Sequence, residues 1–232
     1  MSEETKQNAP ATDSYQERPV RSYVLRTGRM TEGQRRAFEG QWAVYGIDYS
    51  AQALDLNKVF GRDAHKTLEI GFGNGTSLVS FAERYPDRDF LGIEVHTPGV
   101  GRCMLEATNQ KLGNLRVSCH DAIEVLREQI PDNSLDAINL FFPDPWHKKR
   151  HHKRRIVQPD FVATLADKLK PGGYFHVATD WPEYAEHIQE VMALQRALVA
   201  RDTDTPWRPY TRFEDRGVNL GHPIWEDAFY KS

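Results

Sequence analysis

Between Lys66 and Ala178, short apolar segments recur with helix-patterned stretches between them, and this alternation restricts the fold more than any other feature of the chain. The apolar segments are 67–70, 89–95, 115–119, 135–142 and 173–178, and the helical stretches are 76–85, 100–111, 122–128 and 158–169. Strands that alternate with helices signal βαβ units, an α/β architecture in which a largely parallel sheet is covered on both faces. Pro171-Gly172-Gly173 closes the last of these helices. Upstream, Thr31 reads as the N-cap of a helix running toward Tyr45; downstream, the pattern predicts a helix over 182–200 and a final strand over 224–230. Residues 1 to about 20 carry almost no aliphatic side chains, too few to offset the entropy of ordering, and predict a disordered segment. The expected organisation is therefore a flexible N-terminal arm, 1–30, and one domain, 31–232.

Composition removes several classes. Mean hydropathy is -0.65 and no long apolar run occurs, which argues against a membrane span. Met1-Ser2-Glu3-Glu4 lacks the basic and apolar regions of a signal peptide, so the chain is expected in the cytoplasm. Cys103 and Cys119 do not form a close pair of the zinc or redox kind.

Ligands of open α/β sheets sit outside the carboxyl ends of the strands, and there this sequence places its chemistry. Glu69-Ile70-Gly71-Phe72-Gly73-Asn74-Gly75 joins the first apolar strand to a helix. Gly71, Gly73 and Gly75 permit a tight turn and close backbone approach of a ligand, although glycine turns of this kind also serve strand-to-helix packing alone. The third glycine of the dinucleotide pattern G-x-G-x-x-G is missing, and Glu69 stands just ahead of the turn. An anion there repels a pyrophosphate and suits a cation, such as the amino and sulfonium groups of S-adenosylmethionine. Glu94 ends the second strand, where a carboxylate accepts hydrogen bonds from ribose hydroxyls. Asp121 follows the third, where it can accept from an exocyclic amine or simply cap the next helix. Asp144 follows the fourth, held between two prolines in Pro143-Asp144-Pro145-Trp146. Together these acids resemble those of the class I S-adenosylmethionine-dependent methyltransferases, which implies a Rossmann-like fold with about seven strands.

A basic stretch begins immediately afterwards. His147 to Arg155 reads His-Lys-Lys-Arg-His-His-Lys-Arg-Arg in a chain whose formal net charge is -3. Such local concentration points to a polyanion beside the strand ends; the plain alternative is a solvated loop. His147, His151 and His152 have spacing compatible with zinc, but the six surrounding Lys and Arg oppose a dication, and no metal is expected. Trp146 is placed either to stack on a base or to pack the loop.

The string P-D-P-W-x-K, then H-x-K-R-R, with a late T-x-F-E (Thr211 to Glu214) and R-G (Arg216-Gly217), closely resembles the bacterial tRNA (guanine-N7-)-methyltransferases from about Phe38 to Lys231. The resemblance implies methylation of the variable-loop guanosine at position 46 of tRNA; the chain is expected as a monomer or homodimer, with tRNA as its partner. It implies donor contacts from Glu69, Glu94, Asp121 and Asp144, with Asp144 catalytic. It further implies substrate contacts from Lys148, Asp180, Thr211, Arg212, Phe213 and Glu214, and RNA contacts from Lys149, Arg150, His151, His152, Lys153, Arg154 and Arg155. Arg212 stands where relatives often have Lys, which keeps charge but changes donor geometry. A methyltransferase for another acceptor and a non-catalytic RNA-binding protein of this fold are the competing readings. The four acids at strand ends weigh against the second.

Overall fold

A computed structural model describes residues 21–24, 28–201, 204–211, 214 and 221–232. The expected disorder of 1–20 lies outside the described residues, as do Arg212, Phe213, Arg216 and Gly217.

Five strands follow the sequence pattern: β2 (Lys66–Ile70), β3 (Asp89–Ile93), β4 (Leu115–Ser118), β5 (Leu135–Phe141) and β6 (Leu169–Thr179). They are preceded by β1 (Gly46–Ile47) and followed by β7 (Leu198–Ala200) and β8 (Trp225–Lys231). One eight-stranded sheet results, ordered β1-β4-β3-β2-β5-β6-β8-β7. Pairing is parallel from β1 to β6, whereas β8 runs antiparallel to both β6 and β7. β2 lies between β3 and β5, so the chain first builds outward on one side and then crosses to the other. The crevice outside the carboxyl ends of such strands is where open α/β sheets take ligands.

Helices α1 (Glu32–Tyr45), α3 (Thr76–Arg84) and α4 (Thr97–Asn109) contribute to a core cluster with Phe72, Phe90 and Val117; α5 (Ala122–Glu128), α6 (Pro159–Lys168) and α7 (Pro182–Leu194) contribute to another with Leu68, Ile138 and Phe175. All five residues of β2 are buried. Thr31 caps α1 through a capping box with Gln34, as its position predicts. Among the described residues no helix is long and apolar enough to cross a membrane.

Four features differ from expectation. The helix over 182–200 stops at Leu194, because Leu198 is buried and its segment pairs along β8 as an edge strand. Helical propensity there yields to sheet pairing. The strand expected from residue 173 extends back to Leu169, with the register shifting between the Leu135 and Ala137 pairings. α2 (Leu56–Phe60), capped by Asp55 and ended by Gly61 in the left-handed conformation, is too short to show a period. β1 contributes a further short edge, so the sheet has one strand more than the expected seven.

Candidate active site

The turn after β2 is glycine-built for two reasons. Gly71, Gly73 and Gly75 have φ of 70°, 59° and 80°, a region that disfavours side chains. A Cβ on Gly75 would also lie 2.4 Å from the Cβ of Cys103 on α4, so only glycine lets these elements meet.

Glu69 is 2% exposed at the end of β2. Ser77 of α3 donates a hydrogen bond to its Oε1, while Oε2 is buried without a partner among the described residues. Burial pushes its pKa up to about 7, opposed by Ser77 and reinforced by the nearby Glu94. Glu69 lines a cavity of about 360 Å³ together with Gly71, Gly73, Phe141, Phe142 and Thr211. Across the glycine turn and the Phe141–Phe142 pair lies a second lobe of about 230 Å³, lined by Glu94, Ala122 and Asp144 among others. Volumes of this order suit small-molecule ligands.

Glu94 holds the turn in place. Its Oε2 accepts from the Gly73 N–H at 2.8 Å, and its Oε1 accepts from those of Val95 and His96 at 2.7 and 3.0 Å. A carboxylate offers about four acceptor directions, which leaves one for a hydroxyl in the cavity. Asp121 accepts from the Ile123 N–H at 2.9 Å and so caps α5. Burial, then the charge of Asp121, raise the Tyr23 pKa. The capping alternative for Asp121 is thus realised; its neighbours His120 and Ala122, not Asp121 itself, line the second lobe.

Asp144 is exposed at the rim of that lobe. Asp180 directly follows β6 and is half-buried. Neither carboxylate has a hydrogen-bond or ion-pair partner among the described residues. Phe142, just before the turn, has φ of 51°, and its N–H donates to Ala178 O at 2.8 Å, which ties the turn to β6.

The basic stretch divides by burial. Lys148, Lys149, Arg150 and Lys153 are exposed, with residues 149–154 in a 3-10 turn (Lys149–Arg154). His147 lies edge-on to Trp181, His151 edge-on to Trp146, and His152 against the Arg155 guanidinium. The three rings therefore do not converge, and the described residues hold no cluster able to bind a metal. Burial and the cations Arg150, Lys148 and Arg154 lower the His151 pKa. Arg154 stacks 3.8 Å over Trp146 and donates to the carbonyls of Arg21 and Tyr23, while Trp146 Nε1 donates to Ser22 O at 3.0 Å. Trp146 here packs its loop against residues 21–23.

Two residues expected to make contacts are also engaged within the protein. Arg155, expected to touch RNA, is 3% exposed and donates to the carbonyls of Pro145 and Glu183, bracing the turn that carries Asp144. Glu214, expected to touch substrate, has both oxygens taken by the Arg208 guanidinium at 2.7 and 2.8 Å, and one also accepts the Thr211 N–H. Thr211 keeps a buried hydroxyl without a partner among the described residues and lines the first lobe. Ser77, Arg208 and Tyr23 were missed by sequence reasoning. Ser77 lies two residues beyond Gly75, in the first turn of α3, whereas Arg208 and Tyr23 reach the site only through tertiary contacts.

Residues 63–227 match a family described as putative methyltransferases. A tRNA (guanine-N(7)-)-methyltransferase of Shewanella amazonensis is 56% identical over 91% of this chain and 92% of its own length. One from Serratia proteamaculans is 54% identical over 91% of each. Among solved structures, the aminoglycoside resistance methyltransferase NpmB1 superposes with a TM-score of 0.52 at 14% identity, covering 78% of this chain and 95% of that one. TrmN from Thermus thermophilus gives 0.53 at 18% identity, covering 76% and 47%. These two distant likenesses share the Rossmann-like methyltransferase fold. With more than half its length matched and full-length relatives above 50% identity, the chain belongs to the tRNA (guanine-N7-)-methyltransferase family.

Proposed function

We propose that this chain transfers a methyl group from S-adenosylmethionine to N7 of the variable-loop guanosine at position 46 of tRNA. The observation that carries the donor assignment is Glu69: a buried carboxylate with an unpartnered oxygen at the edge of a glycine turn. It is built for a cation and set against a dinucleotide pyrophosphate, which disfavours a dehydrogenase. When bound, S-adenosylmethionine supplies an electrophilic methyl. Glu69 would hold its cationic end and Glu94 a ribose hydroxyl, with Asp121 beside the base.

Guanine N7 carries a free lone pair, so the acceptor needs no prior deprotonation. The residues must align the purine and meet the positive charge it gains. Orientation of this kind supplies several kcal/mol, up to about 7–11 in ideal cases. Asp144, on the turn braced by Arg155 and lining the second lobe, would stabilise that charge, with Asp180 as a further open carboxylate. The exposed Lys148, Lys149, Arg150 and Lys153 would engage phosphates beside it.

The decisive experiment is transfer of labelled methyl to unmodified tRNA, followed by mapping of the modified nucleotide. Label at N7 of position 46 is expected; label on another base, or donor binding without turnover, would overturn the assignment.

A further inference from the structure

Thr211 lines the first lobe, yet what fixes Thr211 and Glu214 lies outside the T-x-F-E motif. His176 of β6, 1% exposed, bonds through Nε2 to Glu226 Oε1 of β8 at 2.7 Å. Glu226 Oε2 accepts from Arg208 Nε at 2.8 Å. The other two guanidinium nitrogens grip Glu214 in the bidentate manner, and Glu214 in turn accepts the Thr211 N–H at 2.9 Å. The Arg208 side chain is 7% exposed and that of Glu214 11%.

The same guanidinium faces the opposite wall. Its central carbon lies 5.3 Å from the ring centroid of Phe142 and 5.8 Å from that of Phe141. Phe141 ends β5 and Phe142 leads directly into the turn bearing Asp144. One buried cation thereby joins both sides of the lobe that contains Thr211 and Glu69. Planar, five-donor geometry is what makes this possible, and a lysine cannot reproduce it.

We propose that Arg208, set by Glu226 and His176, is a positioning residue for methyl transfer. It holds Thr211 and Glu214 in register with the strand end that leads to Asp144. Glu214 then serves as the anchor for Arg208, and Thr211 presents its hydroxyl to the acceptor. This rests on assigning the first lobe's Thr211 side to the guanosine.

The test compares wild type with Arg208→Met, Arg208→Lys and Glu226→Gln. Each is measured for donor affinity by calorimetry, tRNA affinity, melting temperature, and single-turnover rate at saturating tRNA per donor-binding site. A displacement of about 1 Å can cost on the order of a hundredfold in rate. Arg208→Met is expected to lose about that much, with donor affinity within roughly threefold of wild type; Arg208→Lys should recover only part of the loss. Glu226→Gln, which keeps a hydrogen-bonding group beside Arg208, should retain more rate than Arg208→Met and serves if Arg208→Met does not fold. A purely structural role predicts a lower melting temperature and fewer active sites but a wild-type rate at each remaining site, and that result overturns the proposal. So do equal rates for Arg208→Lys and wild type. Failure of wild type to methylate tRNA would instead remove the functional reading itself.

Discussion

Glu69 illustrates how a single carboxyl group carries both the cost of the site and its purpose. Its folded pKa of about 7 lies above the ordinary value of 4.5. Folding therefore favours the protonated acid, and stability falls as pH rises from about 4.5 through 7 and levels off above it, once the buried carboxyl is fully ionised. A cationic donor needs the ionised form, so donor affinity should rise with pH over the same window and level off above it. Between pH 7.5 and 5.5 calorimetry should find affinity weakened by roughly tenfold or more, in proportion to the lost ionised fraction. Glu69→Gln should flatten the profile; a flat wild-type profile would remove Glu69 from the donor site. Asp144→Asn tests the acceptor side. It keeps the shape of the turn but removes the anion, and single-turnover transfer should slow about a hundredfold to a thousandfold while tRNA still binds. A small solvent isotope effect is expected, because N7 loses no proton; a large one means that the acceptor must be deprotonated first.

The basic stretch behaves as two elements in one. Its charge pattern was legible in the sequence, but the pattern could not separate the cations left in solvent from Arg155, turned inward, and Arg154, held against Trp146 and the carbonyls of Arg21 and Tyr23. Neutralising Lys149, Arg150 and Lys153 together should make the salt dependence of tRNA binding shallower by roughly 2–3 units, at about 0.7–0.9 per phosphate contact, without altering donor affinity. An unchanged slope would assign these side chains to solubility. Arg155→Met should leave that slope alone and instead lower stability by about 1–3 kcal/mol, since the carbonyls of Pro145 and Glu183 lose the donor that the buried guanidinium supplies. Denaturant unfolding distinguishes the two variants. The same limit explains the misread end of α7: residues 195–200 have ordinary helical composition, and only the open edge of β8 makes Leu198–Ala200 a strand.

At the scale of the whole molecule, the site lies where β2 and β5 part company, and its walls come from both halves of the sheet. A ligand bound there links the turns after β2 and β3 to the turn after β5. Donor at a hundred times its dissociation constant adds about 2.7 kcal/mol to the folded state. For a chain of this size that corresponds to a rise in melting temperature of roughly 5–11 °C, readable by calorimetry. No rise at that excess would mean that the donor binds elsewhere or equally to the unfolded chain. The sequence by itself determined the alternating α/β order, the glycine turn and the acids at the strand ends. Those follow from local rules: the period of apolar residues, the conformations only glycine accepts, and the fact that a strand end must lead into a loop. Tertiary structure alone decided that Glu214 is held by Arg208, that Arg155 is buried, that Trp146 packs on residues 21–23 and that β7 exists. Each of these depends on which distant group occupies the other end of a hydrogen bond or sheet edge, and such pairing leaves no local period to read.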